Sequence, residues 1–168
     1  MTRKTTAYAR RRTTRRADGI STARMFNTRL TPKEVARIMV PCKDALAAMQ
    51  QGQASFPQWL ALCTAVHVAR AIEDGGVIKG QTDMIEPART ALDAIGERAA
   101  GTGATWTPTT CYGHELAALK DLVNAHSRQV HELTYGEYTE ATRLAESRVL
   151  TIGGAAFCIE TTAQALAA

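Results

Sequence analysis

The chain has 168 residues, enough for one folded domain and too few for two of ordinary size. Its 45 % apolar fraction is ordinary, but aromatic residues make up only 5 % and alanine is abundant, which argues for helices in close contact and against a sheet filled by large cross-strand side chains. The net charge of +4 conceals a division: positions 1–29 hold nine cations against Asp18 alone, whereas residues 30–168 hold 11 basic and 15 acidic side chains.

Those nine cations are Arg3, Lys4, Arg10, Arg11, Arg12, Arg15, Arg16, Arg24 and Arg29. Residues 1–29 show no helical apolar period and their like charges repel, which predicts a disordered basic arm ahead of a single helical domain at 30–168. Arginines separated by threonine and alanine can collect phosphates or an acidic protein surface without a fold of their own, so all nine are candidate nucleic-acid-binding residues. Tyr8 is the only aromatic residue before Phe26, which gives base stacking little support and makes any such binding blind to sequence. The composition overlaps with that of transit peptides, but arginine clusters without apolar residues between them make a poor amphipathic helix. No apolar stretch follows that would suit a secretory or twin-arginine signal.

Thr31-Pro32-Lys33-Glu34 is a helix start, with Thr31 capping, Pro32 in the first turn and Glu34 closing a capping box. Val35, Ile38, Met39, Cys42, Leu46 and Met49 then share one face, while Pro41 within this run is expected to kink or break the helix. Ser55 to Gln58 opens a second helix reaching about Glu73, apolar on nearly every side from Trp59 to Ala69 and therefore expected at the centre; Asp74-Gly75-Gly76 stops it. A third helix is predicted at about 81–100. The connection from Gly101 to Thr110 has Trp106 as its only large apolar residue, so it is either tied down by that indole or mobile. A fourth helix at about 113–133 carries Leu116, Leu119, Val123, His126, Val130 and Leu133, and a fifth at about 137–151 carries Tyr138, Ala141, Leu144, Ala145 and Val149. Gly153-Gly154 breaks the chain before an Ala-rich tail able to form a short last helix. The apolar stretch from Leu150 to Ala168 is interrupted by Gly153-Gly154, Glu160 and Gln164, which opposes membrane insertion. The expected fold is all-α, an antiparallel bundle of about five helices after the disordered arm.

Chemistry-bearing patterns are sparse. Cys42, Cys63, Cys111 and Cys158 are widely spaced and read as reduced core thiols. His67 follows Cys63 by one helical turn, but apolar neighbours would raise the thiol pKa and make the pair inert. His114, Glu115, Asp121, His126 and His131 crowd one stretch, yet the histidine spacings of five and twelve do not place two ligands on one helix face; no metal site is expected, and His126 reads as a hydrogen-bonded residue at the edge of the core. The glycine pairs match no phosphate-binding loop, and no nucleophile motif is present. A DNA-reading helix-turn-helix is excluded by the apolar second helix, where Arg70 is the only Lys or Arg.

The stretch from Thr31 to Ala100, with its Thr-Pro-Lys-Glu helix start, Val40-Pro41-Cys42-Lys43-Asp44-Ala45-Leu46 and the apolar Trp59 to Ala69 helix, resembles in texture small Ala-rich helical proteins of phages and plasmids of Gram-negative bacteria. The resemblance implies a bacterial, cytoplasmic, mobile-element setting and no catalytic residue. The expected function is that of a non-enzymatic accessory protein, without cofactor, metal or membrane partner, that engages nucleic acid or a nucleoprotein assembly through its arm. The alternative is a phage- or plasmid-encoded interaction factor whose acidic helical body docks on a host or phage protein, for example to inhibit a host defence complex. Homo-oligomerisation is compatible with an Ala-rich bundle of this size.

Overall fold

A computed structural model of the chain describes residues 19–100 and 105–151. Within them lie six α-helices: α1 (Gly19–Phe26), α2 (Pro32–Gln50), α3 (Phe56–Asp74), α4 (Thr82–Ala100), α5 (Gly113–Glu132) and α6 (Tyr135–Thr151). No strand is present among the described residues, only an isolated bridge between Arg29 and Thr134. The expected all-α class is observed.

Local sequence explains most boundaries. Thr31 and Glu34 form the capping box of α2, with the Thr31 N–H donating to the Glu34 carboxylate at 2.7 Å and the Glu34 N–H to the Thr31 hydroxyl at 3.3 Å. Ser55 and Gln58 open α3 in the same way. Thr134 and Glu137 repeat the device at α6, so that helix starts two residues earlier than expected. Pro41 does not break α2, which runs unbroken from Pro32 to Gln50. The ring is on the exposed side, so the lost hydrogen bond is carried on a face where water can satisfy the freed carbonyl.

Helices α2 to α5 run in alternating directions. The order is legible from paired contacts: Arg98 meets Glu115 at one end of α4 and α5, and Arg128 meets Gln81 and Met84 at the other. Trp59 bonds the Leu92 carbonyl while Arg70 reaches Glu86, which sets α3 against α4. Met49 touches Cys111 and Leu30 bonds Leu133, which sets α2 against α5. Helix α3 packs on α2, α4, α5 and α6 and is central, as its apolar circumference predicts. Leu62, Ile72, Ile85, Leu92, Leu119 and Leu122 are buried completely between these helices. The Trp106 connection is tied down: its indole N–H donates to the Ala54 carbonyl at 2.8 Å, and Thr107 N–H donates to Ala99 at 2.9 Å.

The arm departs from expectation at its root. Residues 19–26 are helical, and the segment after them is stitched to the α5–α6 turn by Leu30 N–H to the Leu133 carbonyl and Tyr135 N–H to the Thr28 carbonyl, both 3.0 Å. Phe26 stands edge-on to Tyr135, with ring centroids 5.6 Å apart. It also lies against Gly136, where a β-carbon would approach the Phe26 carbonyl oxygen to 2.8 Å. The packing against α1 thus comes from a turn more than a hundred positions away.

Candidate functional site

Arg3, Lys4, Arg10, Arg11, Arg12, Arg15 and Arg16 lie outside the described residues. The other two candidate cations are placed. Arg24 is exposed in the last turn of α1, and Arg29 is exposed beside Glu132 at 3.2 Å. An ion pair so open to water contributes about 0–1 kcal/mol, so the Arg29 guanidinium can exchange that partner for a phosphate at little cost.

Lys33 and Arg37 follow, one turn apart on the exposed face at the start of α2. They are the next cations in the chain after Arg29. Sequence reading passed over them, although their i, i+4 spacing was the available signal. Glu34 lies between them, its carboxyl held below the usual range chiefly by the Thr31 hydroxyl and backbone N–H. Other arginines of the bundle pair with carboxylates. Arg70 pairs with Asp74 and Glu86, Arg89 with Glu86 and Asp93, Arg98 with Glu115, Arg143 with Glu140, and Arg148 with Asp74.

The Arg98–Glu115 pair is the least exposed of these. Glu115 is 2 % exposed and accepts two N–H bonds from Arg98 (2.8 and 2.6 Å) and one from the Tyr112 backbone (2.8 Å). Burial pushes its pKa upward, but the Arg98 and Tyr112 hydrogen bonds outweigh that and hold it low. Arg98 also lies 4.5 Å above the Tyr112 ring. The arrangement fastens the end of α4 to the start of α5. Glu115 thereby accepts three hydrogen bonds within the bundle.

Burial also shifts several other titratable groups. Burial pushes the Cys63 thiol up to about 12 and the Cys42 thiol to about 11, so both are protonated at neutral pH and neither supplies a nucleophilic thiolate. His67 is half-buried beside Cys63, its pKa lowered by that burial. His126 is not at the edge of the core as expected but inside it, 2 % exposed, and burial pushes it down to about 4 against a smaller opposing influence of the nearby Gln129 amide. Its Nδ1 and the Gln129 Oε1 are buried without a hydrogen-bond partner. His114 is exposed and stacks on Tyr112, and His131 is exposed. Among the described residues no three His, Cys, Asp or Glu side chains come together as a metal site, and no helix is long and apolar enough to cross a membrane. Cys158 and the glycine break at 153–154 lie outside the described residues.

The surface hollows among the described residues include two of about 500 Å³ or more. One, of about 570 Å³, is bordered by Phe26, Ile72, Val77, Gly136 and Leu144 where α1 meets the ends of α3 and α6. The other, of about 500 Å³, runs over Phe56, Trp59 and Trp106 beside Gly96, with Asp93 and Glu97 on its rim. No protein-family model, curated protein or solved structure matches the chain.

Proposed function

We propose that this chain is a non-enzymatic accessory protein that engages nucleic acid, alone or within a nucleoprotein assembly, through its Arg-rich N-terminal arm. The observation that carries the reading is the separation of charge. The arm gathers nine cations against one acid, with Arg24 and Arg29 on exposed surface, whereas residues 30–168 carry more acids than bases and hold Arg70, Arg89, Arg98, Arg143 and Arg148 on their own carboxylates. Phosphate contact of that kind fixes position and affinity, not sequence. The thiols held protonated by burial and the Glu115 carboxylate engaged by Arg98 support the non-enzymatic part of the reading.

The test is a full-length variant carrying Arg10→Gln, Arg11→Gln, Arg12→Gln, Arg15→Gln and Arg16→Gln, compared with the parent for binding to random duplex DNA and RNA at about 50 mM salt. Loss of five phosphate contacts should weaken binding by at least about 100-fold. Unchanged affinity would contradict the reading. Point variants serve better than removal of residues 1–29, because that cut takes away α1 and the Phe26 contact with α6.

A further inference from the structure

The groove over Trp59 and Trp106 has a composition unlike the rest of the surface. Three rings meet there: Phe56 stacks on Trp59 at 5.6 Å between centroids and meets Trp106 at 5.4 Å, and the two indoles lie 5.3 Å apart. Both indole N–H groups point inward, to the carbonyls of Leu92 and Ala54, so the polar edges are satisfied and the outward surface is ring. Gly96 makes the floor possible, since a β-carbon there would lie 2.9 Å from the Trp59 ring. Phe56 is 40 % exposed, a large aromatic left in water.

The rim decides what can sit on these rings. Asp93 and Glu97 are exposed one turn apart on α4; Asp93 is held only at 3.6 Å by Arg89, and Glu97 has no ion pair among the described residues. Carboxylates repel phosphate and disfavour a purely apolar segment. A guanidinium suits both parts, since its plane stacks on an aromatic face while its N–H fork engages a carboxylate.

We propose that this groove docks the chain's own arginine run, Arg10-Arg11-Arg12, in the same molecule. Charge complementarity selects it, because the arm is the densest cationic stretch in the chain. Arg10 to Arg12 lie seven to nine residues before Gly19, a tether that can extend about 25–30 Å from the start of α1. Tethering supplies an effective concentration in the millimolar range, which favours a contact too weak to persist between separate molecules. Docking and phosphate binding by these arginines are then mutually exclusive, and nucleic acid displaces the arm from the groove.

The chain's two tryptophans both lie in this groove, so intrinsic fluorescence reports on it alone. Quenching by neutral acrylamide at about 20 mM salt compares the intact chain with full-length Arg10→Gln, Arg11→Gln, Arg12→Gln, with circular dichroism confirming equal helix content. The intact chain should show a quenching constant at least twofold lower, and the difference should vanish near 0.5 M salt as the charges are screened. Glu97→Lys should abolish the protection as fully as loss of the arginines. Equal quenching of intact and neutralised chains at low salt would overturn the docking, and so would protection that survives Glu97→Lys. Protection that grows with protein concentration would assign the occupant to a second copy and overturn the intramolecular form. The readout needs no nucleic acid, so a failure of the arm to bind DNA or RNA leaves it intact.

Discussion

A histidine enclosed by apolar helices must be neutral for the bundle to stay folded, and that places a pH limit on this protein. His126 has its pKa pushed from 6.5 to about 4 in the folded chain. Between those values the unfolded chain binds a proton that the folded chain refuses, so the contribution is intact above about pH 6.5 and is lost as pH falls toward 4. The full difference is about 3 kcal/mol. Urea unfolding between pH 7.5 and 4.5 should show this decline in the parent and a flatter profile in His126→Leu; parallel profiles would contradict the burial. At the same scale, Glu115 shows what one-dimensional reading misses. Its capping role toward Tyr112 follows from its position three residues later, but its partner Arg98 lies 17 residues earlier, across a loop, and no spacing rule connects them.

At the scale of elements, helix starts were legible wherever chemistry is local. Thr31 with Glu34 and Ser55 with Gln58 mark α2 and α3 directly, and the apolar circumference of α3 places it at the centre. The Thr134-to-Glu137 spacing carries the same signal for α6, obscured by Gly136, which reads as a turn residue until the Phe26 backbone is seen against it. Pro41 misled in the other direction, since an exposed proline can be accommodated in a helix held by burial on its other face. Helix α1 was not read from the sequence because its eight residues are too few to establish an apolar period; what it packs against is the α5–α6 turn. Phe26→Ala should therefore release α1 without unfolding the bundle. Amide exchange at Leu30 and Tyr135 should rise at least about tenfold, with the exchange of Leu62 and Leu122 nearly unchanged. A collapse of protection throughout would show that α1 is integral to the core.

At the scale of the molecule, the division between an arm of nine cations and a body richer in acids sets both proposed interactions. The sequence alone made that division plain, because it needs only a count along the chain. The acidic aromatic groove beside α4 needed coordinates, since it draws on Phe56, Trp59, Asp93, Glu97 and Trp106, which are far apart in order. One set of arginines then has two destinations, phosphate and groove, and salt weakens both. The most direct test is the salt dependence of binding by the intact chain to random duplex DNA, titrated from about 50 to 200 mM. About five phosphate contacts predict a log–log slope of roughly −4 to −5, indifferent to DNA sequence. Absence of binding at the lowest salt, or a slope that stays the same when the five arginines from Arg10 to Arg16 are neutralised, would contradict a phosphate-binding arm.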